Sequence, residues 1–182
     1  MSSQDEKVNG ATEETNNSPG PDSQSSTSSF HLPTSNIGRW RRLLARLHHL
    51  RGIAHRTVGN YQGDRREHRA AVACFTQALQ LDPDFVPAWY DRAALLWREL
   101  DDGAAAERDL TRVLELEPDR AEAHFQRAFA RQQAGDLAGA IADFERYLQA
   151  GHDRLWQQIS REQLELLRTL LSPPQPLENI RP

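Results

Sequence analysis

Lysine is almost missing from this sequence: Lys7 is the only one among 22 Lys and Arg. The skew reads as genome composition rather than selection for phosphate binding. Cysteine is as scarce. Cys74 stands alone, so no intrachain disulfide can form and nothing points to an oxidising compartment. Within Ala71-Val72-Ala73-Cys74-Phe75 it reads as a buried, unreactive thiol. No apolar run approaches the roughly 20 residues of a spanning helix, and the polar N-terminus lacks the basic start and apolar stretch of a secretory signal. A cytoplasmic protein is expected. A nucleophile motif, a glycine-rich phosphate loop and a paired-acid constellation are also missing, so neither an enzyme nor a cofactor is expected. His48, His49 and His55 have no Cys or Glu-x-x-His arrangement beside them; they read as surface histidines, with no metal site.

Net charge, −4 in 182 residues, gives no case for nucleic acid or an acidic substrate. Its distribution is more informative. Residues 1–36 set Lys7 against Asp5, Glu6, Glu13, Glu14 and Asp22, a net −4. From Ile37 to Arg69 nine arginines face Asp64 and Glu67, a net +7, and the remainder carries −7. A basic band therefore lies between two acidic stretches.

Residues 1–36 are dominated by Ser, Thr, Asn, Gln, Pro and acids, with too little apolar surface to offset chain entropy, and read as a disordered tail. Beyond them the organising signal is internal repetition. Ala78-Leu79-Gln80-Leu81-Asp82-Pro83-Asp84 overlays Val113-Leu114-Glu115-Leu116-Glu117-Pro118-Asp119, with the prolines 35 residues apart. After each proline come Ala88-Trp89 or Ala123-His124, opening a new amphipathic stretch. Ala71-x3-Phe75, Ala106-x3-Leu110 and Ala140-x3-Phe144 precede Pro83, Pro118 and His152 at a constant spacing of eight from the Phe or Leu. The looser first halves are His55-x2-Val58-Gly59, Trp89-x2-Arg92-Ala93 and His124-x2-Arg127-Ala128. Gly59, Ala93 and Ala128 are small because paired helices approach closely only there, while Phe75, Leu110 and Phe144 fill the space between units. Asp101-Asp102-Gly103 holds one extra residue.

These residues resemble the tetratricopeptide-repeat family, whose pattern is W-x2-L-G-x2-Y, then A-x3-F, then P. The resemblance covers roughly residues 52–152 and implies an all-α, right-handed α-solenoid of three helix-turn-helix units, 52–85, 86–120 and 121–152. Residues 37–51 read as a basic amphipathic N-terminal cap helix. Residues 153–172 read as a C-terminal cap, with Ser160-x2-Gln163 as a capping box opening a helix that buries Leu164, Leu167, Leu170 and Leu171. The end from 173 to 182 is Pro-rich.

The resemblance further implies an adaptor or scaffold that binds a protein or peptide segment in a concave groove. Carried over position by position, that groove holds Arg56, Asn60, Tyr90, Asp91, Trp97, Arg98, Phe125, Gln126, Phe129, Gln132 and Gln133. Tyr90 and Phe125 are expected to be exposed, whereas Trp97 and Phe129 are as consistent with core as with groove. Some family members clamp the C-terminal carboxylate of chaperones with basic residues and Asn. Arg56 and Asn60 match, but Asp91, Glu122 and Gln126 stand where Asn and cations are needed, so that ligand is not expected.

Arg39, Arg41, Arg42, Arg46 and Arg51 form a basic face on a helix whose Ile37, Trp40, Leu43, Leu44, Leu47, Leu50, Ala54 and Val58 recur at helical spacing. The favoured reading is a cap whose apolar side covers the first unit while the arginines stay solvated. The alternative is a peripheral binder of anionic membrane or nucleic acid through residues 37–69. Because the tail buries no core, deleting residues 1–36 should leave the melting temperature nearly unchanged in calorimetry. A large fall would show that the tail packs on the helices.

Overall fold

The computed structural model describes residues 34–172. Residues 1–33 and 173–182, on which most of the tail reading and the Pro-rich end fall, lie outside the described residues. Seven helices follow one another: α1 (Thr34–Gln62), α2 (Arg65–Leu81), α3 (Val86–Glu99), α4 (Gly103–Leu116), α5 (Ala121–Ala134), α6 (Leu137–Ala150) and α7 (Arg154–Leu171). Residues 34–36, expected in the tail, thus belong to α1. Each helix packs on its chain neighbours, giving the hairpins α1/α2, α3/α4 and α5/α6, with α7 against α6. The result is an all-α solenoid.

One local rule ends the first helix of every hairpin and starts the second. A residue in the left-handed region, Gly63 (φ 66°), Asp101 (φ 59°) or Gly135 (φ 89°), reverses the chain. The Asp that comes next then caps the following helix, accepting from Arg66 N (2.8 Å), Ala105 N (3.0 Å) or Gly139 N (2.9 Å) through Asp64, Asp102 or Asp136. Asp153 does the same for α7, accepting from Trp156 N at 2.9 Å. The expected capping box at Ser160 is therefore corrected. Ser160 is buried inside α7, where its hydroxyl donates to the Trp156 carbonyl at 2.7 Å. Of the leucines expected on the buried side of α7, Leu164 and Leu167 are buried, but Leu170 and Leu171 are exposed.

The first hairpin lies seven residues earlier in α1 than a unit counted from Gly52 places it. Gly52, not Gly59, sits where a Cβ would collide with the Phe75 ring. Ala45, Val86 and Ala121 are the buried residues that open the three units, each seven residues before the small Gly52, Ala93 or Ala128. Gly59 instead makes room for His68, near a turn pushed outward because α2 has 17 residues where α4 and α6 have 14.

Residues 37–51 consequently form no separate cap. They continue without a break into the first unit, and a helix with no reversal cannot fold back over its own hairpin. Their inward side is Ala45 and His49. Ile37, Trp40, Leu43, Leu44, Leu47 and Leu50 are exposed, Trp40 by 63%, contrary to the expectation that they cover the first unit. Arg39, Arg41, Arg42, Arg46 and Arg51 are exposed as expected.

Between units the core is Phe75, Leu110 and Phe144, all fully buried, with alanines where helices approach closely. Two carboxylates are buried among them. Asp109 on α4 receives both Arg92 Nε and Nη2 at 2.7 Å, while Arg92 Nη1 donates to Thr76 Oγ1 of α2 at 2.9 Å. One unit later Asp143 receives Arg127 Nε and Nη2 at 2.8 Å, and Arg127 Nη1 donates to Thr111 Oγ1 of α4 at 3.2 Å. Each arginine thus joins its own hairpin to the preceding one. Asp143 also meets His124 Nδ1 (2.9 Å) and Arg131 Nη1 (2.8 Å).

Burial pushes the Asp109 carboxyl up despite Arg92. Burial pushes Asp143 up too, but His124, Arg127 and Arg131 outweigh it and hold that carboxyl below its ordinary range. Asp143→Asn leaves the Arg127 guanidinium without a carboxylate and takes one of two from Arg131, which keeps Glu107 at 2.8 Å, so it should cost about 3–5 kcal/mol in urea unfolding at neutral pH. Asp109→Asn, which releases a single arginine from a carboxylate already disfavoured by burial, should cost less. Equal costs would show that the extra partners of Asp143 contribute nothing.

Candidate protein-binding groove

The groove residues expected from the sequence separate into three places. Trp97 and Arg98 of α3 join Phe129, Gln132 and Gln133 of α5 around one cleft of about 780 Å³, completed by Glu99, Asp101 and Gln163 of α7. The Trp97 and Phe129 rings stack at 5.4 Å with 7° between their planes. The Arg98 guanidinium lies over the Trp97 ring, 4.9 Å from its centroid. Gln133 Nε2 donates to the Trp97 carbonyl at 3.2 Å, which fixes the α3 end against α5. Gln132 Oε1 is buried and has no hydrogen-bond partner among the described residues, so the cleft contains an unused acceptor. Both rings are half-buried and line the cleft.

A second group lies between α1 and α3. Asp91 receives Arg56 Nη1 at 2.6 Å and pairs with His49 Nε2 at 2.7 Å. Asn60 is exposed, its Oδ1 3.0 Å from His68 Nε2. Tyr90 is half-buried beneath the Arg120 guanidinium, 4.3 Å from its ring centroid. Here polar side chains satisfy one another, and Arg56 is committed to an internal carboxylate.

The third place is the core, and two expectations are corrected. Phe125 is 4% exposed, stacked on Trp156 of α7 at 4.7 Å and packed with Tyr147 and Phe144. Gln126 is also 4% exposed, with Trp97 Nε1 3.4 Å from its Oε1. For Phe125 the cause is α7, which covers the last unit at the position that Tyr90 occupies, half open, one unit earlier; Gln126 instead faces Trp97 of α3. The surface reading of the histidines is corrected as well. His48, His49 and His55 are all half-buried, and the last two are paired, His55 Nδ1 lying 2.7 Å from Glu67 Oε2. Among the described residues no three His, Cys, Asp or Glu side chains gather as a metal would need.

Residues 45–85 match the family model described as tetratricopeptide repeat. No curated protein matches the chain. Among solved structures, the chain is similar to the Arabidopsis OM64 TPR domain, with 22% identity over 71% of this chain and 98% of that one and a TM-score of 0.59. It is similar to the first TPR of Spaghetti (RPAP3) bound to the HSP90 peptide SRMEEVD, at 23% identity over 68% and 94% of the two chains, TM-score 0.55. The TPR2B domain of yeast Sti1, in its complex with pHsp70, is similar at 17% identity over 70% and 98%, TM-score 0.58. These identities establish a common fold.

The Asp91 cluster yields a pH prediction. Burial would raise the Asp91 carboxyl, but the His49 hydrogen bond and the Arg56 charge outweigh it and hold the carboxyl below its ordinary value. A depressed folded pKa makes its contribution complete above the unfolded value and lost as pH falls through the folded one. Asp91→Asn should therefore cost about 1–3 kcal/mol above pH about 5, and the gap from wild type should close as pH falls below about 4. A gap that instead widens on acidification would contradict this assignment.

Proposed function

We propose that this chain, a tetratricopeptide-repeat protein, is a non-catalytic adaptor that holds an extended protein segment in the cleft between α3, α5 and α7. The observation that supports this reading most is the Trp97–Phe129 stack beside the buried, unbonded Gln132 acceptor. Rigid aromatic faces give contact area at little entropy cost, and a glutamine amide whose oxygen has no partner among the described residues is available to the polar backbone of a segment laid across the cleft. Arg98, Gln132 and Gln133 supply the polar rim. Arg56, Asn60, Tyr90 and Asp91 lie outside that cleft's lining and have the lesser part in this reading.

The chaperone peptide SRMEEVD is bound by the Spaghetti domain. For the present chain we infer a different ligand. Arg56 is paired with Asp91 at 2.6 Å, Glu122 is exposed, and Gln126 is buried. In the observed register the first-unit clamp positions move from Arg56 and Asn60 to His49 and Ile53, and His49 is paired with Asp91. A terminal carboxylate would meet no free cation at these positions and a nearby negative charge.

Two experiments test the proposal. Arg98→Glu changes an exposed rim residue, and should remove the partners that the wild-type chain recovers from its source cell while leaving the fold intact by circular dichroism. An unchanged partner set would place the binding surface elsewhere. A peptide ending in Glu-Glu-Val-Asp should bind no better than its C-terminal amide in calorimetric titration, and a marked preference for the free carboxylate would overturn the exclusion.

A further inference from the structure

In the second and third units the first helix buries an alanine, Ala88 or Ala123, against the second helix of the unit before. Both stand five residues before Ala93 or Ala128. The same place in the first unit, five before Gly52, is Leu47, which is 53% exposed. The side of α1 on which a preceding unit would stack is therefore uncovered by any described residue. It carries large apolar side chains: Trp40, Leu43, Leu44, Leu47 and Leu50 fall on one stripe, with Ile37 at its edge. Leu47 lies two residues past the buried Ala45, roughly 200° round the helix, so the stripe points directly away from the stack. From Ile37 to Leu50 it runs roughly 20 Å.

Charge separates a lipid surface from a second copy of this chain. No acidic residue occurs between Thr34 and Gly63. Arg39, Arg42 and Arg46 flank one side of the stripe and Arg51 follows it at its C-terminal end, all exposed. A second copy docked on the same face would bring these arginines against their own kind. A phosphate-rich apolar interface instead takes the leucines among its acyl chains, holds Trp40 at headgroup depth, and lets the flanking guanidiniums reach lipid phosphates. The stripe lies on the outer side of α1, the first helix of the solenoid. No helix among the described residues is long and apolar enough to cross a membrane, so contact is with the surface alone.

We propose that the outer face of α1, from Ile37 to Arg51, docks this protein on the surface of an anionic lipid bilayer, leaving the α3/α5/α7 cleft free. The test is flotation of the intact chain with phosphatidylcholine vesicles, plain or carrying about one-third phosphatidylglycerol. The chain should float with the anionic vesicles only, with its tryptophan emission shifted to the blue. Trp40→Ser with Leu47→Ser should weaken binding by at least about tenfold, as should Arg39, Arg42 and Arg46 all changed to Gln. All five side chains are exposed, so the fold should survive, as circular dichroism will check. Leu166→Ser with Leu170→Ser, on exposed leucines at the opposite end, should bind as wild type. Equal flotation with both vesicle types, or full binding by the Trp40/Leu47 variant, would overturn the proposal. So would a dimer in sedimentation velocity that this variant converts to monomer, since a second copy would then cover the face. Binding that appears only after residues 1–33 are removed would likewise overturn it, by showing that this segment is the occupant.

Discussion

The stack depends on a pair of buried guanidinium–carboxylate contacts, Arg92 with Asp109 and Arg127 with Asp143, more than on any other polar interaction. Apolar packing between alanine-rich helices is non-directional and would tolerate sliding along the helix axes. A guanidinium fork is less forgiving. It reaches a carboxylate with two nitrogens and a threonine of the preceding unit with the third, and this geometry is met at one rotation and one height only. Lysine has no equivalent fork. The arginine bias, which carries no function when the sequence is read alone, is thus a structural requirement at these two positions. In the first unit the residue in place of the acid is Cys74, buried, and the corresponding arginine is Arg51, exposed, with no carboxylate there to receive it.

The phased prolines, the Ala-x3-Phe halves and the turn residues are local signals, and they yield the solenoid and its units from α3 onward. The first unit defeats the same reasoning. Gly59 has the right size at a plausible distance from Phe75, yet the position it imitates is filled by Gly52, because the hairpin extends outward by an additional turn. A small residue announces close approach without saying which helix approaches. Asp109 and Asp143 mislead in the opposite direction: acids on a repetitive helical surface read as solvated, and only the tertiary arrangement brings Arg92 and Arg127 over them.

The candidate cleft was half legible for a related reason. Tyr90 and Phe125 occupy equivalent places in successive units, and sequence position treats them alike. Their fates differ because α7 lays Trp156 on Phe125, whereas Tyr90 has only the Arg120 side chain above it. Trp97, Phe129, Gln132 and Gln133 come from the C-terminal turns of α3 and α5, where α7 contributes only Gln163 to the lining and a cleft stays open. Which residues of α3 and α5 stay open is set by the helix packed on the last unit as much as by the repeat itself.

The two ends of the solenoid are not equivalent solutions to one problem. Every repeat presents a stacking side to its predecessor and its successor, and the terminal ones must be covered or made polar. At the C-terminal end α7 buries Leu164 and Leu167 against the last hairpin. At the N-terminal end the helix simply continues outward, and the stacking position changes from alanine to Leu47 amid arginines. Alanine there would have sufficed for a passive end, since it leaves less apolar surface in water. Large side chains that no other described residue covers raise the free energy of the helices in water, and that cost is recovered only where something beyond those helices takes them up.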